Sequence, residues 1–295
     1  MDDDEEASRR TFELLANETR LGIISTLGEA SGEGGYATLA FSDLQAATGV
    51  EDNGHFNYHL TKLVGEFIEE REGGYALTLA GIRAYQAIVA YRVTPEVEIE
   101  PFEFPHKESC VQCGGTIVAR YTDGRFITEC EECGTEELNY PVSVADFDPN
   151  DPESLLDAAT RRMIRDESSM YNGVCPYCAG RVVWTVELPE GHWEESNLRG
   201  DAMAHGACTR CAWFLYGNVV GKIRHHPAIS DFLSRHGYDP WTDPPWEEQY
   251  DFDHQVLDDD PVRVEVSYLA DGECLEVTVD SDLVVLNYDI RLIEE

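Results

Sequence analysis

Cys110-Val111-Gln112-Cys113-Gly114-Gly115, and then, after 16 intervening residues, Cys130-Glu131-Glu132-Cys133-Gly134, is the stretch that decides the middle of this chain. Two cysteines separated by two residues in a tight turn present both thiolates on one side, where a Zn²⁺ ion takes them as adjacent corners of a tetrahedron. Two such turns at this separation close the coordination shell. Gly114 and Gly115 after the first turn, and Gly134 after the second, are expected to supply the positive φ angles that curl the backbone under the metal. Between the pairs, residues 116–121 and 125–128 are rich in β-branched and aromatic side chains and flank an Asp123-Gly124 turn, which predicts two short strands. The plan is a four-cysteine zinc ribbon.

Working toward the C-terminus, Cys175-Pro176-Tyr177-Cys178 and Cys208-Thr209-Arg210-Cys211 repeat the arrangement with 29 residues between the pairs. A strand is expected over residues 181–188, then a polar loop containing Trp193, then a strand-like run over 213–220. His192 and His205 lie in or beside that loop and are alternative ligands to one of the four thiolates. Eight of the nine cysteines thus fall into four pairs at ribbon spacing, which redox dithiols alone do not require. Two zinc ions per chain are expected. Closed thiolate shells make them structural, because a catalytic zinc keeps an open position on mostly nitrogen and oxygen ligands. No nucleophile-base pair and no phosphate loop appears either, so the chain is not read as an enzyme. Cys274 stands alone in a strand pattern, as a small buried hydrophobe does.

Between the two clusters, residues 149–153 turn into a helix over 153–170, where Leu156, Met163 and Met170 recur at seven and Leu155 and Ala159 widen the stripe into core or dimer contact. His226-Pro227 opens a shorter helix ending near Gly237, followed by a Pro- and Trp-rich stretch over 239–246. Alternating Val262, Val264, Val266 and Tyr268, then Leu275, Val277 and Val279, then Leu286, Tyr288 and Ile290, predict a three-stranded β-meander. Three short strands cannot stand alone and should pack on the second ribbon.

Toward the N-terminus, helical patterns run over residues 5–15 and, after Asn17 as N-cap, through Leu21, Ile24 and Leu27. A short helix follows Ser42. Gly49-Val50 then turns into a third pattern over residues 52–67, with Phe56, Leu60, Leu63 and Phe67 on one face. A hairpin over residues 68–78 and a closing helix over 79–93 complete the region.

Three motifs here, Phe12-Glu13-Leu14-Leu15-Ala16-Asn17-Glu18-Thr19-Arg20-Leu21, Gly54-His55-Phe56-Asn57-Tyr58-His59-Leu60 and Gly73-Gly74-Tyr75-Ala76-Leu77-Thr78, resemble the ArsR-type winged helix-turn-helix regulators, particularly the haloarchaeal ones, over residues 8–93. A weaker resemblance, to haloarchaeal regulators with appended zinc-ribbon regions, continues through the cysteines and residues 226–238. The resemblance implies a dimeric, sequence-specific transcription regulator that binds double-stranded DNA, its first and last winged-domain helices pairing across a two-fold axis. Ile82, Tyr85, Ile88, Val89 and Tyr91 offer the last helix an apolar face for that contact. Metal-sensing members carry a cysteine pair before the recognition helix, or acidic and histidine ligands on the last helix. Residues 42–48 and 79–93 have neither, so metal-responsive derepression is not carried over.

On a helical wheel the face opposite Phe56, Leu60 and Leu63 holds His55, Tyr58, Thr61 and Lys62, with Asn57 on its flank. These are the side chains positioned to reach base edges in a major groove, Asn57 pairing with adenine and Lys62 with guanine or phosphate. Arg71 in the wing is a candidate backbone or minor-groove contact.

The charge is extreme: 58 acids against 21 bases give −37, and only Lys62, Lys107 and Lys222 are lysines. The excess is spread along the chain, −9 over residues 1–93, −12 over 94–238 and −16 over 239–295. This composition resembles that of proteins from extremely halophilic archaea, and implies a solvated acidic surface more than a docking site for a basic partner. No run approaches the ~18 apolar residues of a membrane span, and the acidic start is unlike a signal peptide, so a cytoplasmic protein with no membrane partner is expected.

The sequence therefore predicts an α+β multidomain chain: a winged helix-turn-helix DNA-binding domain over residues 1–95, a first zinc ribbon over 96–145, and over 146–295 a helix, the second zinc ribbon, a short helix and the meander. The expected function is sequence-specific transcription regulation by a homodimer. The alternative is an adaptor that touches the transcription machinery through protein contacts, as general initiation factors also join a winged helix to a zinc ribbon.

Overall fold

The chain folds as α+β, with helices and four antiparallel sheets. The computed structural model describes residues 2–30, 37–90, 97–104, 109–110, 112–188, 202–246 and 250–293. They fall into two units, Met1–Val93 and Thr94–Glu295. Among the described residues no helix is long and apolar enough to cross a membrane.

In the first unit, α1 (Asp2–Leu15) stops at Asn17, whose side chain accepts from the Arg20 amide at 3.1 Å and starts α2 (Glu18–Glu29). α3 (Phe41–Thr48) ends on Gly49 at φ +70°, a left-handed position that favours glycine. Asp52 then caps α4 (Asn53–Leu63), accepting from the His55 amide at 2.6 Å. The hairpin β1 (Ile68–Arg71) and β2 (Gly74–Leu77) pairs Ile68 with Leu77 and Arg71 with Gly74, and α5 (Leu79–Ala90) follows. Residues 91–93, the expected end of that helix, lie outside the described residues.

One core holds these elements together. Ile23, Ile24 and Leu27 of α2, Leu44 of α3, Phe56, Leu60 and Leu63 of α4, and Ile68 and Leu77 of the hairpin are buried in it. Each full burial of this kind contributes about 1.5–3 kcal/mol. Ile82, Tyr85 and Ile88 of α5 pack against the same core, while Val89 is exposed. The apolar face of α5 is thus mostly spent within the unit, and Tyr91 lies outside the described residues.

The second unit begins with a sheet of β3 (Ile99–Glu103), β4 (Ile117–Thr122), β5 (Arg125–Cys130) and β6 (Glu136–Pro141), in that order. The long α6 (Pro152–Tyr171), capped by Asp151, comes next. Its Leu155, Leu156, Ala158 and Ala159 pack on that sheet, and its Met163 and Met170 enter the following core, so the sevenfold stripe is core. β7 (Val182–Glu187), β8 (Met203–Cys208) and β9 (Phe214–Asn218) form a three-stranded sheet, followed by α7 (Val219–Lys222) and α8 (Pro227–Arg235).

The C-terminal sheet corrects the expected three-stranded meander. It has four strands, β10 (Asp251–Asp259), β11 (Val262–Ala270), β12 (Glu273–Asp280) and β13 (Val285–Leu292), each paired with the next. β10 reads Asp-Phe-Asp-His-Gln-Val-Leu-Asp-Asp, too acidic to look like a strand, and it sits at the edge, where its acids stay in water. Val264, Val266, Tyr268, Leu275, Val277 and Val279 share one core with Val182, Trp184 and Val186 of the β7–β9 sheet. Cys274 is buried, as a small hydrophobe.

Two ion clusters anchor α6. Glu167 is buried between Arg224 and Lys222, whose Nζ lies 2.7 Å from its Oε1. Buried Asp166 meets Arg162 at 3.0 Å and accepts from the Tyr140 hydroxyl at 3.0 Å.

Candidate functional site

The two four-cysteine groups assemble as the spacing required. In each, the four Sγ atoms lie within 4.8 Å of one another. In the first group Cys110 and Cys133 are 3.7 Å apart and Cys113 and Cys130 3.5 Å. In the second, Cys175 and Cys211 are 3.6 Å apart and Cys178 and Cys208 3.5 Å. A tetrahedral metal with metal–sulfur bonds of about 2.3 Å has edges of about 3.8 Å, so the donor set fits one such ion in each group. All eight thiols are free of disulfides.

The backbone explains why the sulfurs converge. In the first group Cys110 and Cys130 donate their amides to the carbonyls of Gly115 and Thr135, and in the second Cys175 and Cys208 donate to Gly180 and Trp213. Each turn passes through one left-handed residue directly after its second cysteine: Gly114 at φ +76° and Gly134 at +71° in the first group, Ala179 at +54° and Ala212 at +57° in the second. Gly115, expected to share this role, does not adopt a positive φ. A Cβ there would displace the movable Glu132 carboxylate and come within 3.0 Å of the Cys130 Sγ.

Polar groups around the sulfurs set their proton affinities. The Thr135 hydroxyl, then its amide, pull the Cys133 thiol down to about 6, whereas burial pushes Cys130 up to about 12. In the second group the Cys211 and Arg210 amides pull Cys208 down to about 6. A cation that takes these sulfurs as thiolates displaces the protons they carry. Gln112, hydrogen-bonded to the Thr135 hydroxyl, and Tyr177, whose ring packs 4.4 Å from Trp213 with Arg162 above it, are supporting residues that the spacing did not single out.

The histidine alternatives are resolved differently. His205 sits in β8, opposite Thr185 and Tyr216, with its ring 5.8 Å from Phe214, and is not among the four-ligand groups. His192 and Trp193 lie outside the described residues.

On α4, Phe56, Leu60 and Leu63 are buried, and His55, Asn57, Tyr58, Thr61 and Lys62 are exposed, Tyr58 by 58%. Lys62 Nζ lies 5.7 Å above the Tyr58 ring, and the Thr61 hydroxyl donates to the Asn57 carbonyl at 2.8 Å. Among the described residues the Asn57 side-chain amide has no hydrogen-bond partner. His55 is not fully free: its Nε2 lies 3.1 Å from that of His59, a residue the wheel did not assign to the outer face and which is buried. Arg71 is exposed but bound to Glu69 of its own strand at 2.5 Å.

Residues 107–285 match a family described as a domain of unknown function, DUF7351, and residues 8–88 match a second, DUF7347, described in the same words. No curated protein and no solved structure matches the chain.

Proposed function

This chain belongs to the DUF7351 family, and we propose that it is a sequence-specific DNA-binding transcription regulator whose two four-cysteine groups each hold a structural Zn²⁺. The observation that carries the reading is the α4 face, where Tyr58, Thr61 and Lys62, with Asn57 on the flank, stand in solvent away from the buried Phe56, Leu60 and Leu63. A helix fixed to its core on one side and carrying amide, hydroxyl and ammonium groups on the other is built to enter a major groove. The order of helix, glycine turn, helix and hairpin around it supports a winged helix-turn-helix reading. The thiolate sets support zinc by their donor chemistry and spacing, and zinc there staples the second unit.

The charge of −37 does not forbid a polyanionic partner. At about 1 M salt the Debye length is ~3 Å, so neither long-range attraction nor long-range repulsion persists and contact groups decide. The second reading, an adaptor bound to the transcription machinery, is favoured by one observation: of the two cations placed for DNA, Arg71 is already paired with Glu69. Sequencing DNA that co-purifies with the chain from salt-loaded cells separates the two. A shared motif supports groove reading; random genomic fragments, or none, support the adaptor.

A further inference from the structure

Strand β13 leaves the C-terminal sheet open at one edge. In register, Tyr288 lies opposite Val277, Ile290 opposite Leu275 and Leu292 opposite Glu273. Val277 and Leu275 are fully buried, so Tyr288, Ile290 and Leu292 stand on the core-facing side of the sheet; yet they are 55%, 42% and 76% exposed. Leu286, at the bulge, is exposed as well. Together these side chains leave an apolar row along β13 open to water. The opposite edge is protected: β10 carries Asp251, Asp253, Asp258 and Asp259 and a bulge. β13 also has a bulge, at Leu286, but only one acid, and with one Asp and one Arg its eight residues are neutral in a chain of −37.

The strand is also complementary to itself. Around Ile290 the order is Tyr288, Asp289, Ile290, Arg291, Leu292. An antiparallel copy centred on Ile290 sets Tyr288 against the Leu292 of the second copy, Ile290 against its own counterpart, and Asp289 against Arg291 twice over. Asp289 is exposed and gains a cation there, each Arg291 being shared with the Glu276 of its own chain. Its cross-strand neighbour is Glu276, which already holds Arg291 of the same strand, and among the described residues Asp289 has no ion-pair partner.

We propose that a second copy of this chain adds to β13 by antiparallel strand pairing about Ile290, joining two four-stranded sheets into one across a two-fold axis. The pairing satisfies the outward backbone groups of β13 and extends the apolar row of both cores across the seam. It is independent of the DNA-binding reading and uses a surface apart from α5. Because two chains of −37 repel at a distance, the association strengthens with salt until the repulsion is screened.

Light scattering on the full chain in molar potassium chloride tests this. The wild type is expected as a dimer. Asp289→Arg opposes two arginines across the seam and Arg291→Asp two aspartates, so each variant alone is expected to dimerise at least tenfold more weakly. Mixed together they restore both pairs and form a one-to-one heterodimer, and the double variant self-associates like the wild type. Ile290→Lys gives a monomer, whereas Val89→Glu on α5 leaves the mass unchanged. A monomeric wild type, single variants that remain dimers, a mixture that stays monomeric, or dissociation by Val89→Glu with β13 intact overturns the proposal.

Discussion

At the scale of single residues, the two cysteine groups differ in one respect that a stability measurement reads. The first group places glycine in its left-handed positions, the second places Ala179 and Ala212 there, at φ +54° and +57°. An L-residue in that conformation costs about 1 kcal/mol, part of which is offset by the smaller unfolded-state entropy of alanine. Ala179→Gly is therefore expected to raise the unfolding free energy of the second unit slightly, by up to about 1 kcal/mol in denaturant titration; a clear loss would show that the methyl group packs usefully. Cys110→Ser should remove one of two bound ions by elemental analysis and leave the second group loaded. His225 gives the pH dependence. It is buried beside Trp241 with neither ring nitrogen hydrogen-bonded among the described residues, and burial, then Arg224, holds its pKa at about 4 against an ordinary 6.5. Its neutral form is the folded form, so its contribution is complete above pH 6.5 and is lost as the pH falls from 6.5 toward 4, where the unfolded chain gains a proton first. Glu167 continues the decline lower: burial opposes its charge, but Arg224 and Lys222 outweigh burial and hold it at about 2, so its contribution is lost between 4.5 and 2. Unfolding at fixed salt should show the wild type losing on the order of 1–2 kcal/mol more than His225→Phe between pH 6.5 and 5; equal slopes would contradict this.

At the scale of elements, α4 carries the decisive test. Asn57→Ala or Thr61→Ala should cost ~1–3 kcal/mol on a preferred site and relax one base position, with the fold unchanged because neither side chain reaches the core. Lys62→Ala should weaken all duplexes alike if the ammonium meets a phosphate. The helices of the first unit were legible because they are amphipathic and punctuated: Asn17, Gly49 and Asp52 mark boundaries, and Phe56, Leu60 and Leu63 mark a face. The cysteine groups were legible because a metal shell demands a fixed local spacing. Four strands were not. β3 contains Pro101, β6 begins Glu-Glu, β8 reads Met-Ala-His-Gly-Ala-Cys with little side-chain bulk, and β10 is acidic; each is held by its neighbour's hydrogen bonds and not by its own alternation. His59 escaped the wheel for a related reason, since its contact with His55 arises from a four-residue step between an exposed and a buried face.

At the scale of the whole molecule, eight clustered cysteines and 58 acids define how the chain behaves. Two structural ions of the kind proposed, each worth on the order of 10 kcal/mol to a small domain, would make the second unit dependent on metal. Chelation in molar potassium chloride should unfold it while the first unit, whose core holds no cysteine, keeps its helices; circular dichroism that is unchanged on full metal removal would contradict a structural role. The acidic surface makes salt the variable that separates the two associations proposed here. Contacts of β13 with a second copy strengthen with salt, whereas any phosphate contact weakens with it. What survives in high salt must come from groups that touch bases. Selection of bound duplexes from a random pool by the intact chain in molar potassium chloride is the most direct test: the account predicts enrichment of one motif, lost when Asn57, Tyr58, Thr61 and Lys62 are all replaced by alanine, and a pool that emerges without sequence preference would contradict it.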